Sequence, residues 1–487
     1  MEIYSPVFLF LFFPVVVSIY LLAGKKLRTV SLLISSLIFC GWGRKYVFVL
    51  CISIIVNYSF ALLIERMQKN SLSESRTKLV LAISLVSNLG CIIFYKYINF
   101  IIDNLNKILI TLKMASISNL HIYLPLGLSF YTFQAISYVI DVYRRDIPAQ
   151  KNPINIALYL SLFPKIGSGP IARYHTIAPQ IRKNILDLNR ISTGTRRFIM
   201  GLAKKTLIAD TLARPVDLIF LLPKENLTLE VSWVGILCYT LQIYFDLSGY
   251  TDMAIGIGKI FGFEFPENFN YPYISKSIRE FWRRWHISLS TWFRDYLYIP
   301  LGGNRCSPIR NYMNLITVFL LCGLWHGASW TFVLWGLWHG IFLVIERTRT
   351  GRIIEKAWYP LRYCYALLVI IIGWVFFRSD SFSYSIVYLK TMFGISGTEY
   401  VHSPYIIDLN REVYFTVIIG TIACFPSIPL CKTSIETLLK RTQRAVCQRT
   451  ISTFVSITYL IFYLLIGIAS VMQVASVTYR PFIYAGF

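Results

Sequence analysis

Asn311-Tyr-Met-Asn-Leu-Ile-Thr-Val-Phe-Leu-Leu-Cys-Gly-Leu-Trp-His326-Gly-Ala-Ser-Trp-Thr-Phe-Val-Leu-Trp-Gly-Leu-Trp-His339-Gly-Ile-Phe-Leu-Val-Ile345 decides the fold. Besides Tyr312 and Cys322, its only titratable residues are His326 and His339. A membrane span takes about 20 apolar residues, so this run is too long for one and predicts two helices. A titratable ring at membrane depth is costly unless it has a role, so the chemistry should lie here. No carboxylate lies within ten residues of His326 to pair with it.

The rest of the chain agrees with a membrane environment. Of 487 residues, 55% are hydrophobic and 15% charged, against about 25% charged in an ordinary soluble domain. Mean hydropathy is +0.56. Further apolar runs lie at about 5–23, 29–43, 46–64, 79–98, 122–142, 231–248, 360–377, 412–430 and 451–472. Together they predict an all-α integral membrane protein with about 10–13 membrane helices in one domain, 1–487. The regions 97–118, 153–171 and 196–222 are apolar but interrupted, and predict short, re-entrant or interfacial helices.

Net charge is +24. The basic residues cluster in short loops between apolar runs, at 24–28, 65–78, 346–356 and 432–449. That pattern predicts cytoplasmic loops and contact with anionic lipid, with no nucleic-acid partner. Ser5–Ala23 lacks the basic flank of a signal peptide and reads as a retained first span, with the N-terminus outward and 479–487 outside. The ten cysteines form no C-x-x-C pair and no zinc spacing, which argues against a disulfide or structural metal.

Two polar interruptions stand out. Phe163-Pro-Lys-Ile-Gly-Ser168-Gly-Pro170 cannot be one helix, so it is either a surface loop or non-helical backbone lining a tunnel. Asp246 and Asp252 close the apolar span of 231–248, where they would cap a helix, pack with polar groups or hold a cation.

Three of the six histidines, His286, His326 and His339, directly follow a tryptophan. Read as one helix, 279–297 places Trp282, Trp285, Leu289, Trp292 and Tyr296 on one stripe, and Arg279, Arg283, His286, Ser290 and Arg294 on another. This predicts an interfacial helix. Arg283, Arg284 and Arg294 would hold either a phosphate-bearing ligand or lipid headgroups. On one straight helix, His326 and His339 would be about 20 Å and 140° apart. We therefore pair His326 with His286 and take His339 as structural.

At this point the chain resembles a membrane-bound O-acyltransferase (MBOAT), in the branch of bacterial alginate, polysaccharide and peptidoglycan O-acetyltransferases. The resemblance rests on Leu124–Gln134, Asp141-Val-Tyr-Arg144, Phe163-Pro164, Gly169-Pro-Ile171, Ser248-Gly-Tyr250, Asp252–Gly256, Pro266-Glu-Asn-Phe-Asn270, the long 279–305 block, Trp325-His-Gly327 and Trp338-His-Gly340. It implies a ring of helices around a thin centre, with a funnel and tunnel meeting at a catalytic histidine, and places the catalytic core at 279–345. It gives His326 the catalytic role and His286 the supporting one.

The implied donor is acetyl-CoA, used as substrate with no bound cofactor, and the acceptor is a glycan hydroxyl outside the bacterial inner membrane. A separate periplasmic acetyltransferase is the implied partner. The C-terminal Phe482-Ile-Tyr484 is similar to a family tail in which a tyrosine carries the acyl group, although Ala485 replaces an aromatic residue. Cys306-Ser-Pro308 and Ser329 also depart from the family pattern.

The implied reaction is acyl transfer from a thioester to a hydroxyl, with His326 as base and His286 holding the carbonyl or the acceptor. Ser168, Trp325 and Trp330 are candidate tunnel-lining residues that would exclude water. A flippase of lipid-linked glycan, or a non-catalytic scaffold, would share the spans and the basic loops but would not require the paired histidines.

Overall fold

The structure, a computed structural model, describes residues 1–42, 46–71, 73–183, 187–395, 410–427, 433, 445–476 and 483. Every regular element among them is helical. The principal helices are α1 (Val47–Lys69), α2 (Glu74–Thr111), α3 (Leu128–Tyr143), α4 (Leu188–Ala203), α5 (Leu229–Ile260), α6 (Ile278–Arg284), α7 (Ile287–Phe293), α8 (Pro308–His326), α9 (Trp330–Ile345), α10 (Tyr359–Arg378) and α11 (Thr450–Ser476).

Among the described residues, α1, α2, α10 and α11 are long and apolar enough to cross a membrane. Helices 8–22, 27–41 and 330–345 are apolar but shorter. The all-α membrane class expected from the sequence holds, and these four helices are the described ones that meet a full span by length and composition alone. Several apolar runs form short helices, and others turn polar residues toward the protein interior. In α11 only 6% of the spanning window is buried, and Phe454, Leu460 and Leu465 lie exposed. An apolar surface of that extent suits hydrocarbon rather than water.

Helix α5 is the opposite case. Nearly all its residues from Val231 to Ile260 are buried, and its two halves belong to two different hydrophobic clusters. Thr228 caps its start by accepting from the Val231 amide at 3.3 Å. Helix α4 packs against it at backbone distance. A Cβ on Gly201 would sit 2.6 Å from the Gly249 carbonyl oxygen, and one on Gly256 would sit 2.6 Å from that of Gly194. Small residues are what allow helices to approach this closely.

Asp246 and Asp252 do not end a span. They lie within the unbroken α5. Asp252 pairs with Arg197 at 2.6 Å and with Lys204 at 2.7 Å. Asp246 and Asp210 each pair with the buried Lys205 at 2.7 Å. Partnered charges explain how a helix with two carboxylates remains continuous in the interior.

The segment after Leu162 breaks as expected, into a four-residue helix, Phe163–Ile166, followed by irregular backbone. It is not a surface loop: Pro164, Lys165, Ser168 and Pro170 are all buried. The Lys165 ammonium donates to Gln134 Oε1 and sits 4.4 Å from the centroid of the Tyr159 ring.

Candidate active site

Helix α8 ends at His326 because Gly327 turns to an extended conformation, φ −170°, ψ 154°. The carbonyls of the last turn then need outside donors, since no water is available in the apolar interior. The Gly327 amide serves Gly323 and Leu324. The Tyr97 hydroxyl donates to Leu324 O, and the Lys96 ammonium donates to Trp325 O. Both donors come from Ile93–Tyr97, a π-helical turn inside α2. Such widened turns recur at functional sites.

The stretch 279–297 is not one helix. Helix α6 stops at Arg284, Trp285 is extended, and His286 takes the left-handed conformation, φ 43°, ψ 54°. Helix α7 starts at Ile287, and Arg294–Tyr298 forms a π turn. A non-glycine residue in the left-handed region costs about 1–3 kcal/mol and persists only where surrounding contacts enforce it.

Those contacts come from Pro266–Asn270. The Asn270 amide donates to Arg284 O at 2.9 Å, and the Ile287 amide donates to Asn268 O at 2.9 Å. Asn268 Oδ1 accepts from the Ser288 amide at 3.0 Å and from its hydroxyl at 2.9 Å. The start of α6 is fixed as well. Ser277 Oγ caps Glu280 N at 3.0 Å, and the Glu346 carboxylate accepts from the amides of Ile278 and Arg279 at 2.5 and 2.9 Å. The break turns His286 inward, 2% exposed, off the arginine stripe expected for a continuous helix.

His286 and His326 meet at Trp325. The indole centroid lies 6.1 Å from the His286 ring and 4.9 Å from the His326 ring, both near edge-on. Trp335 and Phe377 cover the other side of His326, at 4.9 and 5.2 Å. Phe133 stacks on Trp292 at 3.9 Å and extends the wall to Trp325 at 5.7 Å.

His339 is closer than a straight helix would allow. The turn at 327–329 folds α9 back on α8, and Trp335 touches both His326 and His339, the latter at 5.2 Å. The three tryptophan-flanked histidines thus share one aromatic assembly.

Polar atoms without a hydrogen-bond partner among the described residues collect here. They include His286 Nδ1, both His339 nitrogens and the indole N–H groups of Trp282, Trp325 and Trp335. Buried polar groups are ordinarily paired, so such a concentration points to a site that binds polar ligand atoms. An imidazole base, a second imidazole donor and walls of aromatic carbon suit proton transfer and oxyanion stabilisation away from water.

The other candidates are placed as follows. Trp325 lies in the assembly. Trp330 is 54% exposed and donates to Asn104 Oδ1 at 2.9 Å. Ser168 is buried, and its hydroxyl has no hydrogen-bond partner among the described residues. Nearby, the Ile171 amide donates to Ser288 Oγ at 3.0 Å and ties the broken segment to α7.

Arg284 is held by Glu280 at 2.9 Å, Arg294 is held by Asp295 at 2.6 Å, and Arg283 is exposed. The three arginines do not gather into one anion site. Tyr484 lies outside the described residues. Its neighbour Ile483 packs against the hydrophobic cluster that contains Trp325, and its amide donates to Asp246 Oδ2 at 2.9 Å.

Reading the sequence missed Lys96, Tyr97 and Asn268. Lys96 had a usable signal, as the only charge in the apolar run 79–98. Asn268 lay within the Pro266–Asn270 motif, but its role did not show there, because it depends on a loop meeting a helix break.

Residues 145–386 match the family described as MBOAT, membrane-bound O-acyltransferase. The chain is 43% identical over 419 residues to a probable alginate O-acetylase of Pseudomonas aeruginosa, covering 86% of this chain and 78% of that protein. It is 37% identical over 435 residues to a peptidoglycan O-acetyltransferase of Helicobacter pylori, covering 82% and 81% of the two chains. It is 33% identical over 220 residues to a teichoic acid D-alanyltransferase of Bacillus subtilis, covering 42% and 54%.

Proposed function

This chain belongs to the membrane-bound O-acyltransferase family and is an O-acyltransferase; from that premise we propose that it carries acetyl groups from cytoplasmic acetyl-CoA to hydroxyls of a glycan outside the bacterial inner membrane. The relatives' names supply the acetyl group and the glycan class. The observation that carries the mechanism is the meeting of His286 and His326 at Trp325, in a water-poor aromatic enclosure.

In this reading His326 takes the proton from the attacking hydroxyl as its oxygen bonds to the thioester carbonyl carbon. The carbon–sulfur bond then breaks, and the proton passes to the leaving thiolate. His286 donates to the oxygen on which negative charge develops. Such a base is worth about 10²–10⁴ in rate, and one oxyanion donor about 10²–10³. The aromatic walls keep water from hydrolysing the thioester.

Tyr484 is the proposed intermediate acyl carrier. Support comes from Ile483, the residue before it, whose amide donates a hydrogen bond to Asp246 Oδ2 in the buried helix α5. The tail would pass its acetyl group to a periplasmic acetyltransferase partner, which would select the acceptor. Against a flippase stands the histidine pair, which lipid translocation does not require.

His326→Ala should abolish O-acetylation of the cell's glycan while the protein still inserts in the membrane. Wild-type acetyl content in that strain would rule out the base. Mass spectrometry of the C-terminal peptide after donor exposure, without the partner, should find acetyl on Tyr484. An unmodified tyrosine under those conditions would eliminate the carrier step.

A further inference from the structure

Three arginines from separate parts of the chain converge on Asp295, at the end of the His286 element, two on its carboxylate and one on its backbone carbonyl. Arg173 pairs with Asp295 through Nη2, Arg294 pairs with it at 2.6 Å, and Arg144 donates to its backbone carbonyl at 3.2 Å. The guanidinium carbons of Arg144 and Arg173 lie 5.3 and 5.2 Å from the centroid of the Tyr296 ring. That ring is fixed by its hydroxyl, which donates to Asp141 Oδ1 at 2.7 Å. Burial alone would raise the Asp295 carboxyl, but Arg294 and Arg173 outweigh it and hold it below its ordinary value. Counting the carboxylates of both Asp295 and Asp141 against the three guanidinium groups leaves an excess of one positive charge.

The cluster is open and correctly placed. Arg144 and Arg294 are exposed. Two basic loops expected in the cytoplasm touch the same region. Gln68, within the 65–78 segment, donates to Tyr143 O at 2.8 Å. Arg347, from the 346–356 loop, donates to Tyr298 OH at 3.0 Å. From His286 to Asp295 is nine residues, about 13 Å at helical rise, a distance that an extended thioester arm can span. Planar guanidinium groups held in a rigid frame are the usual means of binding phosphate oxygens bidentately.

We propose that Arg144, Arg173 and Arg294 form the cytoplasmic phosphate-binding site for the nucleotide end of the acyl donor. The site anchors the phosphates while the thioester arm reaches the histidines. It rests on the acetyl-CoA reading above and keeps only Arg294 of the arginine set expected from spacing; Arg284 pairs with Glu280, and Arg144 and Arg173 are the residues that meet Asp295.

The test uses the full-length protein in neutral phosphatidylcholine nanodiscs and measures binding of acetyl-CoA and of acetyl-pantetheine, which lacks the nucleotide and its diphosphate. Arg144→Gln and Arg294→Gln are exposed positions expected to fold normally. Each should weaken acetyl-CoA binding about ten-fold or more and leave acetyl-pantetheine binding unchanged. Equal loss for both donors, or no loss for either, overturns the site. If adding anionic lipid competes with acetyl-CoA in the wild type only, the same groups also accept headgroup phosphate, and the site stands as a phosphate site. If the variants change anionic-lipid binding alone, the donor assignment falls. Wild-type protein that binds neither donor would refute the acetyl-CoA reading itself, separately from the arginines.

Discussion

At the residue scale, the decisive groups are those that hold the histidines. Lys96 donates to the Trp325 carbonyl in the last turn of α8, one residue before His326, and its ammonium lies 5.7 Å from the centroid of the Trp325 ring. Lys96→Met keeps the aliphatic length but leaves that carbonyl unpaired, at a cost of about 1–3 kcal/mol. Transfer should slow at least ten-fold, and Lys96→Gln, which retains a donor, should recover part of it. Equal rates for Met and wild type in a turnover assay would remove Lys96 from the site. His286→Ala should lower the rate about 10²–10³-fold with little change in donor affinity, because it acts on charge that develops during transfer. The histidines themselves were legible in the sequence from their apolar and tryptophan surroundings. Their supports were not, because each comes from an element remote in the chain.

At the element scale, the chain uses broken helices to present side chains. The turn at 327–329 was readable from the length of its apolar run, whereas the break at Trp285–His286 was not. Nothing in Arg279–Tyr298 includes the proline or glycine that commonly marks a break. The hydrophobic period fits one helix as well as two. The break exists because Asn268 and Asn270 supply hydrogen bonds to the freed backbone groups. Asn268→Ala removes the Oδ1 acceptor of two bonds to Ser288. It should lower stability by about 1–3 kcal/mol and release His286 from its left-handed conformation. A drop in activity far larger than the drop in thermal stability in detergent is the expected outcome. Parallel losses would mean that the loop only stabilises the fold.

At the scale of the whole molecule, α5 joins the two hydrophobic clusters, and its carboxylates tie distant parts together. Lys205 bridges Asp210 and Asp246, and Asp246 also accepts from the amide of Ile483. Lys205→Met would leave two buried carboxylates without their cation, a change worth about 3–5 kcal/mol. The variant should unfold at a markedly lower temperature, and a tagged tail should become more sensitive to protease. An unchanged melting temperature would show that the triad is not fully desolvated. Gly201→Val should disrupt the α4–α5 crossing, since the added carbons meet backbone rather than a movable side chain. The sequence by itself determined the membrane environment, the all-helical class, the family and the two histidines, because these follow from local composition, period and motif. Only the tertiary structure decided which arginines gather, where His286 turns inward, that His339 joins the assembly and that Lys96 reaches α8. Each of these depends on contacts between segments far apart in the chain, and a one-dimensional pattern carries no record of them.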